Sequence, residues 1–227
     1  MSTIVFASSK GGAGKTTAAI LLASEFAKQG APKGISVTLI DADPNQHSAK
    51  WASKEGCPRN INTVMNVDEE SIIDDIDKAS QDSSFVIVDL EGTASMSVAS
   101  AISRADLVII LCQGSQDDAD EAIKTIKLIK RQERLLQTQI PFSVLFTRTN
   151  PAITPRTLTH IIKEFKKADI EIFKSSLIDR EAFRAIRSFG GTIDNLNPKE
   201  VSGKDKAIDN VLFFVEEVKS KLLNLKK

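Results

Sequence analysis

The sequence predicts a single-domain α/β fold, a mostly parallel twisted sheet with helices on both faces. Three observations predict it. Short apolar runs alternate with longer segments of helical periodicity along the whole chain, the pattern of parallel strands joined by crossover helices. The first run, Thr3-Ile4-Val5-Phe6-Ala7, passes through a glycine-rich turn into Ala18-Ala19-Ile20-Leu21-Leu22-Ala23, which reads as a helix. Two further apolar runs end in aspartate, at the carboxyl edge where an open parallel sheet meets its ligand crevice.

Element by element, strands are expected at residues 4–7, 37–40, 61–65, 85–90, 107–112, 142–147 and 170–173. Helices are expected at 15–29, 69–79, 117–137, 156–168, 180–189 and 205–225. Gly30-Ala31-Pro32-Lys33-Gly34 is the turn from the first helix to the second strand, and Gly190-Gly191-Thr192 and the polar stretch 195–206 are loops. With no repeat, no low-complexity tract and no linker, residues 1–227 are expected to form one domain.

Composition narrows the class. A chain of 227 residues with 41% apolar and 26% charged content can bury a large core. No apolar run approaches the roughly 18 residues a membrane span needs, and the first strand is too short for a signal peptide, so a cytoplasmic protein is expected. Cys57 and Cys112 suggest neither a disulfide framework nor a zinc site, and Cys112 reads as core filler. His47 and His160 have no ligand-like spacing and read as structural, and nothing supports Ser/His/Asp chemistry.

The turn Ser9-Lys10-Gly11-Gly12-Ala13-Gly14-Lys15-Thr16-Thr17 is a phosphate cradle. Its glycines let backbone N–H groups close around an anion, and the helix N-terminus adds partial positive charge. In such a loop Gly11, Gly12, Ala13, Gly14, Lys15, Thr16 and Thr17 bind the nucleotide, Lys15 reaching the β- and γ-phosphates and the Thr16 hydroxyl ligating Mg²⁺. The ordinary pattern G-x-x-x-x-G-K-[ST] wants glycine where Ser9 stands, and Lys10 is an additional lysine.

Lys10-Gly11-Gly12-x-Gly14-Lys15-Thr16-Thr17 resembles the deviant Walker A box of the ParA/MinD family, most of all small ParA-type plasmid partition proteins and their conjugation- and T-DNA-transfer relatives. The resemblance implies a P-loop NTPase fold, slow intrinsic ATP hydrolysis and the cofactors ATP and Mg²⁺. It also implies that Lys10 crosses a nucleotide-sandwich homodimer to the partner subunit's ATP. Val37-Thr38-Leu39-Ile40-Asp41-Ala42-Asp43-Pro44 resembles the family's switch I, with Asp41 on the Mg²⁺ hydration shell and Asp43 positioning the attacking water. Phe85-Val86-Ile87-Val88-Asp89 reads as a Walker B strand whose Asp89 holds Mg²⁺ through water. Leu90-Glu91-Gly92-Thr93 resembles switch II, with the Gly92 N–H sensing the γ-phosphate. Phe146-Thr147-Arg148-Thr149-Asn150-Pro151 ends a strand where ParA-like proteins contact adenine, which nominates Arg148, Asn150 and Pro151.

Net charge is zero but polarised: nine Lys and Arg face fourteen Asp and Glu up to Gln113, and 21 face 16 beyond it. Arg180, Arg184 and Arg187 recur on one helix face, as do Lys124, Lys127, Lys130, Arg131 and Arg134. Such stripes can neutralise DNA phosphates without reading sequence; they are also what a solvated face looks like. By resemblance to ParA proteins, Arg180, Arg184 and Arg187 are the DNA-binding candidates. The implied partners are nonspecific DNA of the nucleoid and a centromere-binding, ParB-type adaptor that stimulates hydrolysis. With the first strand at the start of the sequence, no N-terminal helix-turn-helix is expected. The last helix has an apolar stripe of Ile208, Val211, Leu212, Val215, Val218, Leu222 and Leu223 and ends in Lys226-Lys227; it is expected to close the fold rather than to hold a membrane. A MinD-like or other protein-positioning ATPase, acting on a membrane or a conjugation (relaxosome) complex, remains the alternative. Metal-cluster ATPases of the superfamily need bridging cysteines, and Cys57 and Cys112 form no such motif.

Overall fold

The computed structural model describes residues 1–92 and 95–225. Thr93 of the switch II segment and Lys226-Lys227 lie outside the described residues. In chain order the elements are β1 (Ser2–Ala7), α1 (Lys15–Gly30), β2 (Val37–Ala42), α2 (His47–Ala52), β3 (Ile61–Val64), α3 (Ile72–Asp82), β4 (Phe85–Leu90) and α4 (Met96–Ser103). They continue as β5 (Leu107–Cys112), α5 (Gln116–Leu136), β6 (Phe142–Thr149), α6 (Arg156–Lys167), β7 (Ile172–Ile178), α7 (Glu181–Phe189) and α8 (Lys204–Asn224).

The strands form one seven-stranded sheet in the order β3-β2-β4-β1-β5-β6-β7, parallel throughout. Strands buried on both faces need continuous apolar sequence, and β1 and β5 are buried along their whole length. Alternate residues feed two cores. Ile4, Phe6, Leu39, Ile109 and Leu145 pack with α1, Trp51 of α2, α7 and α8; Val5, Ala7, Ile40, Val88, Ile110 and Val144 pack with α3, α4, α5 and α6.

Two helices are absent from the sequence reading. α2, six residues long, has a polar sequence in which only the burial of Trp51 and Ala49 betrays a core face. α4 is rich in serine and alanine, so its apolar period is faint; its N-cap Ser95 accepts from the Val98 N–H at 3.4 Å. β7 also lies later than the expected 170–173. Its alternation of buried Phe173, Ser175 and Leu177 with exposed Lys174 is a half-buried edge strand, whose polar residues hid it.

α8 closes the fold against this edge. The register between β6 and β7 slips between Val144 and Phe146, which takes the backbone at 174–175 off the ladder. Glu217 accepts from the N–H groups of Lys174 and Ser175 at 2.7 and 2.8 Å. About two turns earlier on the same helix face, Asn210 accepts from the Ile178 N–H at 3.0 Å and donates to the Ser176 carbonyl at 2.7 Å. Val211, Phe214, Val215, Val218 and Leu222 are buried, whereas Leu223 is 64% exposed and drops out of the expected stripe. Among the described residues no helix is long and apolar enough to cross a membrane.

Glu217→Ala should leave two amide donors of the bulge unsatisfied and cost about 2 kcal/mol. Thermal melting should therefore show a Tm several degrees below the parent; an unchanged Tm would mean that water replaces the carboxylate at no cost.

A candidate nucleotide site at the carboxyl edge of the sheet

The loop between β1 and α1 is built from backbone that only glycine adopts freely: φ is +77° at Gly12 and +102° at Gly14. Neighbouring strand ends hold it. The Thr147 hydroxyl donates to the Ala13 carbonyl at 2.7 Å, and Gln113 Nε2 donates to the Gly12 carbonyl at 2.7 Å. Across the loop lies Gly92, where a Cβ would stand 2.8 Å from both the Cα and the N of Gly11. Only glycine lets the end of β4 approach this closely.

Lys15, the first residue of α1, is 5% exposed, and its ammonium donates to the Lys10 carbonyl at 3.3 Å. Burial pulls its pKa below the ordinary lysine value, against the opposing pull of Asp89, Asp43 and Glu91. β2 and β4 are neighbours, so Asp41 and Asp89 stand side by side in register. Asp41 is satisfied: it accepts from the Asp43 N–H at 3.1 Å and from the Ala49 N–H of α2 at 2.8 Å. Asp89 is fully buried and neither of its oxygens has a hydrogen-bond partner among the described residues. Desolvation, then the Asp41 charge, push its pKa up to about 7. The hydroxyls of Thr16 and Ser48 and the Lys15 ammonium favour its ionised form without reaching hydrogen-bond geometry. Asp43 is half-buried and accepts from the N–H and side-chain amide of Asn45 at 2.8 and 2.9 Å.

These residues could hold a divalent cation. Among the described residues no group of three or more His, Cys, Asp or Glu is arranged as a metal cage. Mg²⁺ does not require one, since it keeps several waters and takes one or two carboxylates plus phosphate oxygens. The Thr16 hydroxyl with Asp41 and Asp89 is such a donor set, and the orphaned oxygens of Asp89 are what a hydrated cation would satisfy.

Lys10 points away from the cradle. Its ammonium lies 2.7 Å from Asp118 of α5, a carboxylate 5% exposed that also forms a capping box with Ser115. The Asp118 hydrogen bond raises the Lys10 pKa; for Asp118 itself, burial is outweighed by Lys10 and Ser115, which hold it below the usual carboxylate value.

The cleft has two lobes. One, of about 440 Å³, is lined by the loop, Lys15, Thr16, Asp43, Glu91 and Gly92. The other, of about 620 Å³, extends between α2, the ends of β6 and β7, and α7. Gly14, Thr17, His47, Arg148 and Arg187 line both. Arg148 holds φ at +52°, an uncommon conformation for a residue with a side chain. Asn150 and Pro151 line neither lobe; the Asn150 side-chain Oδ1 closes a turn by accepting from the Ala152 N–H at 2.8 Å. Arg180, Arg184 and Arg187 all line the larger lobe. On α5, Lys124 pairs with Glu121 at 2.6 Å and Lys130 with Glu133 at 2.8 Å, while Lys127 and Arg131 are exposed.

His47, read from sequence as structural, is exposed and lines the cleft. Thr147, Gln113 and Asp118 were missed as well. Of these only Asp118 had a signal, since Ser115-Gln116-Asp117-Asp118 has the spacing of a capping box at a helix start.

A glycine-rich loop between a central parallel strand and a buried helix, with carboxylates on neighbouring strand ends, defines a P-loop NTPase of the α/β type. The family model described as VirC1 protein matches residues 1–220, and the chain belongs to that family, within the ParA/MinD type. It is 37% identical over 222 residues to Protein ParA of Rhizobium radiobacter, covering 98% of each chain. It is 28% identical to Protein virC1 of Rhizobium rhizogenes, over 84% of this chain and 82% of that one. Among solved structures, an ATP complex of a Cyanothece McdA variant superposes with a TM-score of 0.73 at 18% identity, over 93% of this chain and 96% of the other.

The raised pKa of Asp89 fixes a pH dependence for the nucleotide-free protein. Its folded pKa lies above the unfolded value of about 3.9, so its protonated form stabilises the fold. That contribution is complete below about pH 4 and is lost as pH rises through about 7, falling by roughly 1.4 kcal/mol for each pH increment of about one between those limits. Asp89→Asn, which cannot ionise, should melt with a flatter pH profile than the parent between about pH 5 and 8. Parallel profiles would contradict the burial of an uncompensated carboxyl.

Proposed function

We propose that the protein is an ATP-driven switch of the ParA type that partitions DNA. The observation that carries this reading is the two-lysine loop closed on Gly92 beside a buried carboxylate pair. ATP would lie with its β- and γ-phosphates over the α1 N-terminus and Lys15, held by the backbone of Gly11, Gly12, Ala13 and Gly14 and by Thr16 and Thr17. Thr16, with Asp41 and Asp89 acting through water, would hold Mg²⁺, which supplies charge neutralisation at the phosphates. Asp43 would orient the attacking water and Gly92 would sense the γ-phosphate.

In this reading Lys10 leaves Asp118 and crosses to the partner subunit's phosphates as two copies close on two nucleotides. The closed dimer binds nonspecific DNA of the nucleoid, and an adaptor bound at a centromere-like site accelerates hydrolysis and release. Exposed Arg184, once it exchanges Asp179 and Glu181 for phosphate, and the exposed cations of α5 form the accessible basic surface; Arg180 and Arg187 are half-buried in the cleft. Arg148 lines the path from phosphates to base, and Asn150 and Pro151 flank it.

Duplex DNA of arbitrary sequence, titrated with ATP, ADP and no nucleotide across a salt series, tests the proposal. Binding should require ATP and fall steeply with salt, by counterion release. No binding in any nucleotide state would sink the DNA role and leave a positioning ATPase that acts on a protein complex. A second expectation concerns Lys10. Lys10→Ala should bind a nonhydrolysable ATP analogue yet elute as a monomer on sizing, whereas the parent dimerises; a dimeric variant would remove the bridging role.

A further inference from the structure

Helix α7 and its N-cap carry Arg180, Arg184 and Arg187 on one face, and all three look into the larger lobe of the cleft. Their charges are not equivalent. Arg184 is neutralised twice, with Nη1 2.5 Å from Asp179 and Nε 2.8 Å from Glu181. Arg180 buries its Nε with no hydrogen-bond partner among the described residues. Arg187 is half-buried and its guanidinium forms no ion pair among the described residues. Its backbone, by contrast, is pinned: Lys54 of the α2 side donates to the carbonyls of Arg187 and Ser188 at 2.9 and 2.8 Å. A cation held in a cleft by a fixed backbone, without a counter-ion, is an arrangement that an anionic ligand completes.

The position of Arg187 says which part of a ligand it meets. Of the three, Arg187 alone lines the phosphate lobe as well as the larger one, and it shares that boundary with Gly14 and Thr17 of the loop and first turn of α1. A nucleotide with its terminal phosphates beside Lys15, Asp43 and Gly92, and its nucleoside in the larger lobe, passes this boundary at the phosphates nearest the sugar. We infer that Arg187 is a nucleotide ligand supplied by the same chain, gripping those inner phosphates from α7 opposite the glycine loop. The inference rests on the nucleotide reading above and adds a second wall to the site. Guanidinium presents paired N–H groups to phosphate oxygens, which a lysine does not. Because ATP and ADP share the inner phosphates, Arg187 serves both, unlike Lys10, whose proposed role needs the closed dimer.

Calorimetric titration of the full chain with ADP and with a nonhydrolysable ATP analogue tests this in the parent, Arg187→Ala, Arg187→Lys and Lys15→Ala. Arg187→Ala should weaken both nucleotides by similar factors, about tenfold to a hundredfold, and Arg187→Lys should recover part of the loss. Arg187→Gln carries the same comparison if the alanine variant does not fold, as judged by its melting curve. Unchanged affinity for both nucleotides, with Lys15→Ala still defective, overturns the inference and returns Arg187 to the DNA surface. A loss confined to the ATP analogue also overturns it, because that places the guanidinium at the γ-phosphate, and so does a lysine variant no better than glutamine. Parent-like binding by Lys15→Ala instead overturns the nucleotide reading on which the inference stands.

Discussion

β1 lies between β4 and β5, and the site follows from that placement. All six of its residues are buried, so its path through the middle of the sheet is fixed on both faces. The chain leaving it enters α1, whose residues 18–23 have no exposed surface. A seven-residue loop tethered between two buried elements has little freedom, and Thr147 of β6 and Gln113 just after β5, both on one side, remove more of it. On the other side β4 brings Gly92 against Gly11 and carries Asp89, and β2 beyond it sets Asp41 beside Asp89. Loop, carboxylates and Gly92 thus share one origin in the order of strands.

That order also creates an electrostatic imbalance that a ligand would relieve. Burial lowers the Lys15 pKa and raises that of Asp89, so each group is held short of its charged form's usual stability. An anion beside Lys15 favours the ammonium, and a cation near Asp89 favours the carboxylate. Both shifts have one main cause, removal of the charged group from water, and they run in opposite senses because the two groups carry opposite charge. Buried groups with shifts of this kind cluster at functional sites, because their cost to the fold must be offset elsewhere.

The phosphate loop was legible because all of its information is consecutive: strand, glycines, lysines and helix occur within residues 3–23. The strand-end carboxylates were legible singly but not as neighbours, since the pairing of β2 with β4 skips an element and no local pattern encodes it. Arg187 was visible only as one of three arginines on a helix face; the sequence cannot say that this face turns inward while Arg184 is neutralised. The same limit hid α2, whose single buried indole donates to the Gly191 carbonyl 140 positions away. Elements whose reason to exist is tertiary leave weak periodicity, and β7, with its edge position and bulge, is another.

The state of Lys10 bears on how such a switch is thrown. In the single chain it is held by Asp118, and under the proposed crossing this contact breaks and leaves a buried carboxylate without its counter-charge. Asp118 is protected from that outcome. Its other oxygen accepts from the Ser115 hydroxyl at 2.6 Å and the Ser115 N–H at 3.3 Å, and it stands in the first turn of α5, where the helix dipole favours negative charge. Lys10 itself is 43% exposed, so water solvates it as it leaves. The contact is therefore strong enough to orient the lysine away from its own phosphate loop, yet its loss strands neither partner. Under the proposed dimer, a lysine that reaches across the interface would need both properties: a defined resting place in the monomer, and a low cost of leaving it.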